Sequence, residues 1–225
     1  MRNMSIPEND DTEGNTDEYK IEYLPEDYPF YDLNFSLLFV GDSYIGKYFL
    51  VKRAVHNRYT EVSTAFGLEF FIFLLKVNDK IIKFNIFVST GSEIYRSLIE
   101  NFYPKSSLIV LTYGINNWKS FNILDYFLNE IKFKANSDVR IFLVGTKADL
   151  IEERKVSIEE GLEYKKRQNL DLFMETSAKT GYNARNILVE AAIILYKDDL
   201  KSKGKATYIK KNEKRLYILK KYLNL

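Results

Sequence analysis

Seven of the eight residues in Gly41-Asp42-Ser43-Tyr44-Ile45-Gly46-Lys47-Tyr48 have the types and spacing to hold a polyphosphate. In the pattern G-x-x-x-x-G-K-[ST], the glycines let backbone N–H groups wrap the phosphates, the lysine neutralises the outer ones, and the closing hydroxyl ligates Mg²⁺. Tyr48 breaks the pattern. Magnesium takes oxygens at roughly 2.0–2.1 Å in a near-octahedral array, and a phenol oxygen across a rigid ring does not reach that point unless the backbone moves. Other chemistries are largely excluded. Without cysteine there are no disulfides, thiolate metal sites or thiol catalysis, and the single histidine, His56, rules out a multi-histidine zinc site. His56 is expected at the exposed end of the first helix.

A phosphate loop of this kind needs a strand before it and a helix after it. Residues 35–40 form a strand-like apolar run, and 48–55 have helical character. Two apolar runs, 66–77 and 81–88, flank the short polar turn Asn78-Asp79-Lys80 and read as a hairpin whose first strand is an antiparallel edge. Residues 107–113 and 139–144 are continuous apolar runs, the pattern of strands buried on both faces. Phe121, Leu124, Phe127, Leu128 and Ile131 recur at helical spacing, as do Ile187, Leu188, Ala191, Ala192 and Leu195. This alternation predicts an α/β fold: a mostly parallel sheet with one antiparallel edge strand and helices on both faces. Ligands of such sheets bind at the carboxyl ends of the strands, which brings 88–93, 145–150 and 175–179 beside the phosphate loop.

With 225 residues, 46% of them hydrophobic and 15% aromatic, the chain suffices for one well-buried domain with tails. The net charge of +2 selects no partner, but the charges are segregated. Residues 1–32 are acidic and too poor in apolar surface to offset their ordering entropy, so they are expected to be a disordered tail. Within it, Tyr23, Leu24, Tyr28, Phe30 and Tyr31 offer apolar contacts at its inner end. The domain is expected over 33–197, followed by a basic tail over 198–225. There Ile209, Leu216, Leu219 and Leu223 lie at approximate helical spacing among lysines. No stretch resembles a signal peptide or is long enough to span a bilayer, so a cytoplasmic setting is expected.

Gly145-Thr146-Lys147-Ala148-Asp149-Leu150 and Glu175-Thr176-Ser177-Ala178-Lys179, taken with the phosphate loop, resemble the motifs of Ras-superfamily small GTPases, nearest to the Rab branch. The similarity runs in order from Phe35 to Tyr196. It implies the small-GTPase P-loop fold and a site that binds GTP or GDP through Gly41, Asp42, Ser43, Tyr44, Ile45, Gly46, Lys47, Tyr48, Thr146, Lys147, Asp149, Ser177, Ala178 and Lys179. The resemblance assigns Asp149 to accept the paired N–H donors that guanine offers and adenine lacks, with the stem of Lys147 packed on the base. Phe70, Phe87 and Phe102 fall where Rab proteins display an aromatic triad that helps bind effectors, although strand aromatics are also ordinary core.

The departures from that family fall on its catalytic half. Val88 replaces the acid that supports Mg²⁺, and Ser92 replaces the glutamine that orients the attacking water. Anchoring the switch loop on Gly67 puts Ala65 where a metal-binding threonine belongs, while a one-residue shift puts Thr64 there. Tyr44 brings bulk to a loop position that is normally small and is expected to crowd the nucleotide. The resemblance with these losses implies a guanine-nucleotide binder acting in trafficking or signalling, with Mg²⁺ binding in doubt, hydrolysis weak or absent and no catalytic residue assigned. Two alternatives stand beside it: a nucleotide-poor pseudoGTPase scaffold, and an ordinary GTP-hydrolysing switch with an atypical metal site that uses Thr64. Without cysteine no prenyl anchor of the kind usual in Rab proteins is expected, and with Arg2 after Met1 no myristoylation is expected. The basic end is expected to meet anionic lipid on the cytosolic face of an intracellular membrane, at about 1 kcal/mol per well-placed lysine, or a partner, or the chain's own acidic front. No nucleic-acid partner is expected, because no such module is recognised.

Overall fold

The computed structural model describes residues 19–60, 67–89, 91 and 96–203. Its strands are β1 (Ile21–Leu24), β2 (Leu33–Gly41), β3 (Leu68–Val77), β4 (Lys80–Ser89), β5 (Leu108–Gly114), β6 (Arg140–Thr146) and β7 (Leu172–Glu175). They form one sheet in the order β1-β3-β4-β2-β5-β6-β7. From β4 across to β7 the pairings are parallel, whereas β3 runs antiparallel to β4 and to β1. The helices are α1 (Lys47–His56), α2 (Arg96–Glu100), α3 (Trp118–Asn122), α4 (Leu124–Lys134), α5 (Ile158–Gln168) and α6, described over 186–203.

Strand β2 explains why both faces are covered. Successive side chains of a strand point to opposite faces, and every residue from Leu37 to Val40 is apolar. Leu37 and Phe39 join a core with Leu50, Val51 and Ala54 of α1 and Ile187, Leu188 and Ala191 of α6. Leu38 and Val40 join a second core with Leu124, Leu128 and Ile131 of α4 and Tyr164 of α5. Strand β5 is buried along its whole length, as its continuous apolar run predicts. The hairpin turns at Asn78 and Asp79, and His56 is the exposed last residue of α1.

Three expectations are revised. The leading segment does not stand apart through residue 32, because Ile21–Leu24 pairs with Leu74–Val77 and takes the sheet edge, leaving β3 interior. Its acidic composition is outweighed by contacts at the inner end: the Tyr23 ring lies 6.0 Å from that of Phe73, the Arg185 guanidinium sits 4.7 Å above Tyr23, and Tyr19 meets Tyr196 edge-on at 6.2 Å. The helical run through Phe121 and Ile131 divides at Ile123, whose ψ of 5° leaves helical geometry. Helix α6 passes the expected boundary at 197, and Asp198 on it takes two hydrogen bonds from Arg140, both at 2.7 Å. Residues 1–18 and 204–225, which hold most of the acidic and basic tails, lie outside the described residues. Among the described residues, no helix is long and apolar enough to cross a membrane.

Candidate functional site

Strand β2 ends at Gly41, where the chain must turn sharply into α1. Its φ is 143°, and a Cβ there would stand 2.2 Å from the Thr112 carbonyl oxygen, so only glycine fits. The loop then delivers the N-terminus of α1 to the end of the sheet, where unpaired N–H groups and the helix dipole favour an anion. Lys47 starts that helix and is only 3% exposed. Its ammonium donates to the carbonyls of Gly41, at 2.9 Å, and of Asp42. Burial lowers its pKa to about 7, against the opposing pull of the Asp42 carboxylate.

The two tyrosines of this loop go elsewhere. Tyr44 has φ 61°, a left-handed conformation that costs an L-residue about 1–2 kcal/mol. That turn aims its side chain outward, where it is 95% exposed. The Tyr48 ring packs 5.5 Å from Phe49 and 5.9 Å from Phe71, with the Lys52 ammonium 5.5 Å above it. Val88, level with Phe39 in the sheet, is buried in the same core as Leu50 and Val51 of α1.

The loops after β6 and β7 are built differently, by polar groups that hold one another. The Thr146 hydroxyl lies 2.5 Å from the Ile45 carbonyl oxygen and 2.9 Å from that of Tyr113. Lys147 reaches over the phosphate loop and donates to the Tyr44 carbonyl at 3.0 Å. The Ser177 hydroxyl donates to Oδ1 of Asp149 at 2.6 Å and accepts from the Thr180 N–H at 3.1 Å. Ala148 N–H donates to the Thr176 carbonyl at 2.9 Å, joining the two loops. Beneath them Arg154 forks onto both oxygens of Glu175, at 2.6 and 2.7 Å. A carboxylate has about four lone-pair sites, so Asp149 keeps acceptor capacity beyond its bond to Ser177.

A cavity of about 260 Å³ opens between these loops and α1. Of the sequence-predicted site residues, Ile45, Gly46, Thr146, Lys147, Asp149, Ala178 and Lys179 line it. Lys47 and residues 41–44 lie on the arm beside it, Ser177 acts from behind Asp149, and Tyr48 faces apolar neighbours. Four lining residues escaped the list of sequence-predicted site residues: Leu50, Leu150, Phe49 and Tyr59, the last two with rings 6.1 Å apart. Tyr59 had a weak signal, as an aromatic in an otherwise polar stretch after α1; Phe49 had none, because one helical aromatic beside another reads as packing.

Gly91 closes the opposite end. A Cβ on it would stand 2.6 Å from the Ser43 nitrogen and 2.8 Å from the Asp42 carbonyl oxygen, so Gly91 rests directly on the phosphate loop. Thr64 and Ser92 lie outside the described residues. Among the described residues, no three His, Asp or Glu side chains converge as a metal site. Apart from the cavity, Phe70, Phe87 and Phe102 form a continuous row with centroids 5.2 and 4.4 Å apart. Phe87 and Phe102 anchor in the second core, while Phe70 is 51% exposed.

Comparison with known proteins places this arrangement among relatives. The model of the Ras family matches residues 36–197. The chain is similar to the Ras-related protein RABF2a of Arabidopsis thaliana, at 36% identity over 162 residues that make up 72% of this chain and 80% of the relative.

Proposed function

This chain belongs to the Ras family, and from that premise we propose that it binds GDP or GTP through the loops after β6 and β7, serves as a Rab-like regulator in trafficking or signalling, and hydrolyses GTP slowly or not at all. One observation carries the reading. Asp149 lines the open cavity, oriented by Ser177, while Tyr48 and Val88 are turned into apolar packing. Guanine presents two adjacent N–H donors to that carboxylate, and adenine does not. A ligand that covers this half-buried carboxylate without donating to it loses about 1–3 kcal/mol, so adenine nucleotides are rejected.

Magnesium does not fit the described residues. The ion needs oxygen ligands, and at the two positions concerned the chain offers a phenol ring tilted against Phe71 and a buried isopropyl group. In the family's chemistry the ion neutralises charge between the β- and γ-phosphates during transfer; with it goes most of the support for hydrolysis. Effectors dock on the Phe70, Phe87 and Phe102 row, where one exposed ring is held by two anchored ones. An anionic membrane surface on the cytosolic side is met by the lysines of the basic end.

The test is a titration of fluorescent GDP into the full chain, once with Mg²⁺ and once with EDTA, alongside a phosphate-release assay with GTP. The expected result is saturable binding of similar strength in both buffers and no release above background. Chelator-sensitive binding with steady phosphate release supports the ordinary switch instead, and no binding in either buffer supports the scaffold.

A further inference from the structure

The two ends of the described chain leave the domain side by side. Strand β1 enters at the hairpin turn: Ile21 is level with Val77, the Lys20 N–H donates to the Asn78 side chain at 3.0 Å, and the Asn78 N–H donates to the Lys20 carbonyl at 2.9 Å. Helix α6 comes to the same turn, where the Tyr196 hydroxyl donates to Oδ1 of Asp79 at 3.4 Å. Between them Tyr19 meets the Tyr196 ring edge-on at 6.2 Å, and the Lys197 ammonium sits 5.1 Å above the Tyr19 ring. Arg140, the first residue of β6, fixes the later turns of α6 through Asp198 and donates to Asp171 as well. This is the amino end of the parallel strands, opposite the end where the cavity opens.

From these two points the sequence runs on into segments of opposite charge. Residues 1–18 carry six acids against Arg2 alone, and residues 204–225 carry seven lysines and arginines against Glu213 alone. We propose that the acidic leader is the resting partner of the basic end, so that the leader and anionic lipid compete for the same lysines and the leader holds the chain off the membrane until lipid displaces it. This rests on the membrane reading above and adds its regulation.

Reach, tethering and charge all favour the pairing. Helix α6 is described for seven residues beyond Tyr196, about 10 Å of helix. Eighteen residues of chain ahead of Tyr19 can span up to about 60 Å, so the leader has length to spare for the start of the basic segment. Because both segments are fixed to one domain at neighbouring points, their encounter is intramolecular, at an effective concentration on the order of millimolar. The exits are also close enough for opposite charges to attract through physiological salt, whose Debye length is about 8 Å. Six acids nearly balance seven bases. An anionic lipid surface therefore meets a basic segment that already has a tethered rival of matching charge.

Flotation with vesicles of phosphatidylcholine and phosphatidylserine, with pure phosphatidylcholine as the blank, reads the competition. The full chain is compared with a full-chain variant carrying E8Q, D10N, D11N, E13Q, D17N and E18Q, all ahead of β1. The variant is expected to bind about tenfold more tightly, the worth of one to two lysines at such a surface. Without lipid, carbodiimide coupling of the parent is expected to link carboxylates of 1–18 to lysines of 204–225 within one chain, and phosphatidylserine vesicles are expected to suppress those links. Equal binding of parent and variant overturns the pairing alone, as do links found only between two chains. Vesicles that neither protein binds overturn the pairing together with the membrane reading.

Discussion

The two halves of the cavity rim are built on opposite principles. On the side of β6 and β7, polar side chains are satisfied by one another and still present Asp149: Ser177 holds the carboxylate, Ala148 bonds Thr176, and Arg154 forks onto Glu175. On the side of the phosphate loop, three side chains are instead held by the surrounding fold. Lys47 donates to the loop's carbonyls, the Tyr48 ring packs at a tilt against Phe71, and Val88 fills the core. A preorganised polar network holds its geometry without the ligand, whereas a strand end and helix start closed by packing become scaffold. The difference teaches that the two sides of the rim are built by different elements, the loops after β6 and β7 on one and the end of β2 with the start of α1 on the other.

The contrast can be broken at its strongest point. Replacing Asp149→Asn puts an amide donor against the donors of guanine and is expected to weaken GDP by about a thousandfold, or roughly 4 kcal/mol; calorimetry that finds less than a tenfold loss removes Asp149 as the reader. Next, Arg154→Ala leaves Glu175, whose side chain is 10% exposed, without its partner. Unpairing a carboxylate this buried costs about 3 kcal/mol, to be seen as a lower urea midpoint together with weakened GDP binding. An unchanged midpoint means that the loops do not depend on this pair.

The other half can be sharpened by restoration. Tyr48→Ser with Val88→Asp returns two oxygen ligands, and Mg²⁺ is then expected to tighten GTP by about tenfold, near 1.4 kcal/mol, where the parent shows no difference between Mg²⁺ and EDTA. No gain in the double variant refutes this account of the metal loss. The smallest effect is a pH dependence. The Lys47 pKa is lowered to about 7 in the fold from 10.5 in the unfolded chain, so between these values the unfolded state holds more protons and stability rises with pH. The empty protein should gain about 1 kcal/mol between pH 7 and pH 8, and Lys47→Met should flatten that slope in urea titrations at each pH.

Much of this architecture is visible in the chain without coordinates, where the cause is local. The buried strands β2, β5 and β6 announce themselves as unbroken apolar runs, and the hairpin by its polar turn. The loops that carry Asp149 and Ser177 follow from their order after those strands. What the sequence hides depends on distant partners. Strand β1 is masked by the acids around it, and its pairing with Leu74–Val77 is decided by Phe73 and Arg185, far along the chain. The Phe49–Tyr59 wall is likewise tertiary, since nothing in either neighbourhood reveals that a loop will fold back over the first turn of α1. Tyr44 differs again: its bulk is legible in the sequence, but its direction is set by a left-handed φ.

The edge position of β1 has a consequence for how the protein comes into being. Ile21–Leu24 leaves the ribosome before any strand it touches, and its neighbour ends at Val77. This earlier-made piece therefore waits for β3, with all of β2 made in between, and its seam is available before β4 has emerged to join the hairpin to β2.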